Sequence, residues 1–228
     1  MPFFFMDYNY ILMVLLPGLV ISGLASLMVR SAFNRYSQVA SRRGYTGAEA
    51  ARTLLDNAGI RDVRIVQTHG HLSDHYNPTS KELALSEGVY SSRSVAAIGV
   101  ATHEAGHAIQ HATNYAPLWV RSALVPVAGI GSNLGYIVMA LGLFISPALV
   151  MLGAILFSGV LLFQLVTLPV EFDASARAKR LVVESGIVYP DERRGIDAVL
   201  NAAAMTYVAA AISTLLTLLY YLMRAGLL

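Results

Sequence analysis

Three stretches of this sequence carry no charged side chain: Tyr8 to Val29, Ser122 to Val170 and Ala198 to Met223. Each exceeds the ~20 apolar residues with which an α-helix crosses a bilayer core of ~30 Å. Lipid offers the backbone no hydrogen-bond partners, so a spanning segment must satisfy its own amides as a helix. The middle stretch holds 49 residues, too many for one crossing and suited to two helices, with Ser146-Pro147 as the turn between them. Four transmembrane helices are therefore predicted, near 8–30, 123–145, 147–169 and 203–224. A soluble chain of 228 residues, only 13% of them charged, seldom buries four such runs. The N-terminal MPFFFMDYNY has no basic segment before its apolar run, which predicts a retained helix and not a cleaved signal.

Basic residues set the expected orientation. Ten of the sixteen Lys and Arg lie from Arg30 to Arg121, five from Arg177 to Arg194, and only Arg224 beyond. Four crossings place the two basic segments on one side, and the positive-inside rule makes that side the cytoplasm. The expectation is a multi-pass protein of the cell (inner) membrane, with the lipid bilayer as a partner and both termini outside. The scattered cations of a chain with net charge +2 form no aromatic-interleaved patch, so no nucleic acid is expected. With no cysteine, any metal must rest on His and carboxylate ligands.

Between the crossings, Thr46-Gly-Ala-Glu49 reads as a capping box opening a short amphipathic helix through Asn57, closed by Gly59. Val63–Gln67 and Lys81–Leu85 read as short strands around the polar stretch HGHLSDHYNPTS, with Asn77-Pro78 as a turn. Ser94–Thr113, rich in Ala and Ile, reads as a helix. The fold class is thus mainly α: a single domain, 1–228, with a helical membrane bundle and a small α+β, zincin-like cytoplasmic portion from 31–121 and 170–200.

The Ser94–Thr113 helix carries His103-Glu104-Ala105-Gly106-His107, an H-E-x-x-H pattern that arises by accident in about one chain of this composition in two hundred. Residues four apart share a helix face, so two imidazoles can hold one zinc ion while Glu104 serves as general base for the activated water. A catalytic zinc needs a third protein ligand. His111 sits about 12 Å along the axis from His103, too far to share the ion. Glu171, the first charge after the long uncharged run, is the better candidate, with Asp173 and Glu184 as rivals.

The stretches SVAAIGVATHEAGHAIQH and LPVEFDASARA resemble the neutral zinc metallopeptidases of bacterial membranes, the YugP-type family. More distantly they are similar to HtpX-type and prenyl-protein membrane proteases. The closer resemblance spans nearly the whole chain, including DHYNP, LSEGVYSSRS and AAAMTYVAAA. It implies a membrane zinc endopeptidase with one Zn2+ per chain, acting on a peptide or protein substrate, membrane proteins included. In these families a downstream E-x-x-A-D supplies the third ligand. That pattern maps onto Glu171-Phe172-Asp173-Ala174-Ser175, which favours Glu171 and leaves Ser175 where the distant families have Asp.

Weaker candidates remain. His75 and Tyr76 could donate to a developing oxyanion, but turn chemistry is the simpler account, with Asp74 and Asn77 capping the backbone while Tyr76 packs. Tyr207 could also point at the site, although tyrosine is common at membrane interfaces. His69 and His71 are expected to be solvated. An extended substrate is expected along an edge strand near Lys81–Ser86. The alternative function is a catalytically inactive zinc-binding scaffold or regulator. A structural site would have no need of the carboxylate that Glu104 sets beside a ligand. A metal transporter would place ionisable residues inside the crossings, and these crossings have none.

Overall fold

The computed structural model describes residues 8–70 and 72–228; His71 and the start of MPFFFMDYNY lie outside them. The elements run α1 (Tyr8–Ser37), α2 (Gly47–Asn57), β1 (Arg64–Thr68), β2 (His75–Asn77), β3 (Glu82–Ser86), the single turn α3 (Glu87–Tyr90), α4 (Val95–Ala112), α5 (Ala116–Ile145), α6 (Pro147–Glu184) and α7 (Arg193–Arg224). Four of them, α1, α5, α6 and α7, are long and apolar enough to cross a membrane. All four run past the uncharged windows. The Ala, Arg, Lys and Glu that follow or precede those windows are good helix formers, and propagation adds a hydrogen bond for each residue fixed. Pro169 lies within α6, where it removes one backbone donor, and the helix continues through it to Glu184.

The chain divides into two compact units. One comprises the chain up to Ser26, Trp119–Pro169 and Met205–Leu228. Here Ser146 is extended between α5 and α6 and its hydroxyl accepts from the Leu149 amide at 3.3 Å, with Pro147 at the first helical position, where a missing N–H costs nothing. The two helices pack backbone to backbone. A Cβ on Gly142 would sit 2.5 Å from the Val150 nitrogen, and one on Gly153 2.3 Å from that of Met139, the small-residue approach by which helices associate in lipid. Met139, Val150, Phe157, Tyr220 and Tyr221 centre the apolar core of this unit.

The other unit comprises Leu27–Leu118 and Val170–Ala204. Its α2 begins with the predicted capping box: the Thr46 hydroxyl accepts from the Glu49 amide at 3.2 Å, and the Glu49 carboxylate from the Thr46 amide at 2.8 Å. Ala50, Ala51, Leu54 and Leu55 on its inner face are buried. Gly59, at φ +75°, ends the segment in a conformation few other residues adopt.

The sheet differs from the two-strand expectation. Its order is β1-β3-β2, with β1 parallel to β3 (Arg64↔Glu82 to Thr68↔Ser86) and β2 antiparallel to it (His75↔Ala84, Tyr76↔Leu83, Asn77↔Glu82). The polar stretch read as a loop contains the third strand. Asn77 makes the predicted turn, its Oδ1 accepting from the Thr79 and Ser80 amides at 2.9 and 3.3 Å, and this turn folds β2 back onto β3. The Lys81–Ser86 segment is therefore no edge: β3 is paired on both sides and Leu83, Ala84, Leu85 and Ser86 are all buried, the unalternating burial of a covered central strand. Asp74 caps it by accepting from the Ser86 amide at 2.7 Å. The edges are β1 and β2.

Thr46→Ala should cost about 1 kcal/mol of stability through loss of the cap, and Thr46→Ser should cost little. Thermal unfolding of the detergent-solubilised variants measures both, and equal unfolding temperatures for Thr46→Ala and the native protein would contradict the capping role.

Candidate metal centre

Helix α4 opens at Ser94, whose hydroxyl accepts from the Ala97 amide at 3.2 Å. It is buried along most of its length, with Ala96, Ala97, Ala101, Ala105 and Ala108 in the core. Alanine favours the helix and leaves room for close neighbours. The closest approach is at Gly106, where a Cβ would lie 2.7 Å from the Ala174 carbonyl oxygen of α6. Only a glycine lets the two backbones meet there.

That contact aligns two stripes. His103, Gly106, His107 and Gln110 share one face of α4, and Glu171, Ala174 and Ser175 share one face of α6. His103 and His107 present their Nε2 atoms to Glu171 Oε2 at 3.3 and 3.6 Å. Ligand atoms of the three residues all lie within 4.8 Å of one another. Two imidazole nitrogens and a carboxylate oxygen are the donor set that suits zinc when cysteine is absent. Glu171 is 2% exposed and Glu104 9%, so a cation here would meet carboxylates with little competing water.

The far nitrogens of both imidazoles are engaged. Ser175 Oγ lies 3.1 Å from His103 Nδ1, so the residue replacing the distant families' Asp still meets the imidazole. Gln110 Oε1 lies 3.0 Å from His107 Nδ1, and Gln110 Nε2 donates to the Val170 carbonyl and to Asp173 Oδ2, each at 2.8 Å. Asp173 also accepts from Arg177 Nε at 2.6 Å. Burial disfavours a charged His107, yet the Glu171 and Glu104 carboxylates and the Gln110 side chain outweigh it and raise its pKa. Metal binding would compete with protonation at Nε2.

Asp173, Glu184, His75 and His111 are not in the His103–His107–Glu171 cluster. Asp173 faces Gln110 and Arg177, and Glu184 pairs with Arg180 at 3.8 Å. His111 Nδ1 lies 2.8 Å from the Tyr76 hydroxyl, an arrangement that ties edge strand β2 to the end of α4. His75 is exposed, with Nδ1 2.9 Å from the Ser73 carbonyl, and Tyr207 is half-buried on α7 within the apolar unit. His69 is solvent-exposed as expected but pairs with Glu87 at 2.7 Å. Sequence reasoning passed over Gly106 and Gln110. The i+3 spacing of Gln110 from His107 was a usable signal, since it puts both on one face.

Four helices long and apolar enough to cross a bilayer, together with a largely buried His-His-Glu cluster, give the class: a mainly helical chain with membrane-length helices and a candidate metal centre. Residues 10–226 match the family described as "Putative neutral zinc metallopeptidase", and the chain belongs to that family. Over 200 residues it is 46% identical to "Putative membrane protease YugP" of Bacillus subtilis (strain 168), covering 87% of this chain and 89% of that protein. No solved structure is significantly similar.

Gly106→Ala should force α4 and α6 apart and cost roughly 1–3 kcal/mol as an overpacked contact. Zinc uptake should fall with it. Unfolding temperature and metal content of the purified variant, both equal to those of the native protein, would refute this role for the contact.

Proposed function

We propose that the protein is a membrane-embedded zinc endopeptidase whose single zinc is held by His103, His107 and Glu171, with Glu104 as general base. The observation that carries this reading is the convergence of those three donors beside the Glu104 carboxylate, together with membership of the zinc metallopeptidase family. Zinc held there would supply a Lewis acid, lowering the pKa of a water toward neutrality and polarising a peptide carbonyl. Glu104, next in sequence to one ligand, takes the proton from the attacking water and passes it to the leaving amine, the carboxylate role that this pattern provides. Ser175 and Gln110 orient the imidazoles through their far nitrogens.

With β3 paired on both sides, the strand open to a substrate is β2 or β1. An extended peptide would add to β2, whose Tyr76 reaches His111 on the motif helix, with main-chain hydrogen bonds supplying affinity and alternate side chains selectivity. Substrates are peptides or proteins, membrane proteins included, and the site opens to the cytoplasm because the basic residues flank it. Glu104 favours this reading over an inert scaffold, which needs no general base.

Glu104→Gln should leave zinc bound and lower peptidase activity by about 10²–10⁴-fold. His103→Ala, His107→Ala and Glu171→Gln should lose tight zinc as well, while His111→Ala keeps it. Elemental analysis beside a peptide-cleavage assay distinguishes these cases, and retained turnover in Glu104→Gln excludes the mechanism. Cysteines at exposed Gln38 and Glu184 should label from the cytoplasmic side and one at Met223 from the opposite side. Labelling of Gln38 and Glu184 from different sides would break the topology.

A further inference from the structure

Gln110 is fully buried, and its amide group has only one orientation that its neighbours allow. Its nitrogen faces the Val170 carbonyl and Asp173 Oδ2, each at 2.8 Å. A carbonyl can only accept, and the Asp173 carboxylate is already an acceptor for Arg177 at 2.6 Å. An amide NH2 has two protons, one for each of these partners. Turned the other way, the side chain would set its buried oxygen against two acceptors and leave that oxygen without a donor, a cost of about 1–3 kcal/mol. The carbonyl end is thereby fixed toward His107, 3.0 Å from Nδ1. Because that oxygen can only accept, Nδ1 must carry the imidazole proton. In the neutral ring the lone pair is therefore on Nε2, the nitrogen that faces Glu171.

We propose that Gln110 is a positioning residue of the metal centre: it selects the His107 tautomer whose Nε2 can bind a metal, and it pins α4 to the Val170–Asp173 turn of α6 beside Glu171. The inference rests on the zinc reading above. One side chain thus links the second imidazole to the helix that supplies the carboxylate. Hydrogen-bond partners of ligand histidines are often carboxylates, but a carboxylate at 110 would have no proton for either Val170 or Asp173. The site accepts an amide and rejects its closest acidic analogue.

The test uses the full chain in detergent, with zinc affinity read by competition with a chelator and coordination read from the visible absorption of the cobalt(II)-substituted protein. Gln110→Met keeps the volume without the hydrogen bonds, and Gln110→Glu opposes two acceptors. Each should weaken zinc binding by about 10- to 100-fold and alter the cobalt spectrum. Adding Asp173→Asn to Gln110→Glu restores a donor opposite the new carboxylate, and should recover most of the lost affinity. A merely structural glutamine would lower the unfolding temperature while leaving the cobalt spectrum and zinc affinity of the folded protein unchanged, and that result overturns the proposal. Failure of the second substitution to recover any affinity overturns it too. If Gln110→Met does not fold, the comparison of Gln110→Glu with and without Asp173→Asn provides the measurement. A native protein that takes up no zinc would instead sink the zinc reading itself, and this inference with it.

Discussion

The backbone contact between Gly106 and the Ala174 carbonyl fixes the geometry on which the site depends, because the three candidate ligands come from two helices that touch there. Two histidines one turn apart hold a metal incompletely, and a third donor has to arrive from another element with its oxygen within a few ångströms of both nitrogens. Helices usually pack with axes 8–10 Å apart. A glycine facing a backbone carbonyl admits a closer approach, and the residues within a turn of that contact on each helix then meet as side chains: His103 and His107 from α4, Glu171 and Ser175 from α6.

Polar groups this deep must be satisfied, and the arrangement around the imidazoles does so with little surplus. Gln110 uses both amide protons and its carbonyl, Asp173 takes bonds from Gln110 and Arg177, and Ser175 meets the other imidazole. The two side chains that meet the far imidazole nitrogens, Gln110 and Ser175, are neutral. A carboxylate at Ser175 or Gln110 would add negative charge to a pocket that already buries Glu104 and Glu171, and unpaired buried charge is costly. Neutral partners orient the histidines without that cost.

Membership of the zinc metallopeptidase family agrees with the resemblance carried by the H-E-x-x-H and EFDAS segments. The relative similar over most of its length, named "Putative membrane protease YugP", covers both the membrane-length helices and the candidate metal centre of this chain. The sheet is the part for which the likeness gave no guidance. Its third strand is only three residues long, and His75 and Asn77 have the composition of a turn.

What the sequence determined by itself was whatever depends on local pattern. Uncharged runs longer than a bilayer is thick dictate helices, Thr46 with Glu49 dictates a cap, Ser146-Pro147 dictates a break, and a four-residue spacing puts two histidines on one face. These follow from helix period and backbone chemistry within a few residues. Tertiary structure decided the rest, because it depends on which segments meet. The order β1-β3-β2, which makes Lys81–Ser86 central, arises from a hairpin and a parallel pairing between residues 18 apart in sequence. The roles of Gly106 and Gln110 arise from a helix sixty or more residues further on. Glu171 stood out in the sequence by charge and motif, but only packing could set its carboxylate against both imidazoles, since the distance between two helix faces is fixed by the side chains they lack as well as by those they carry.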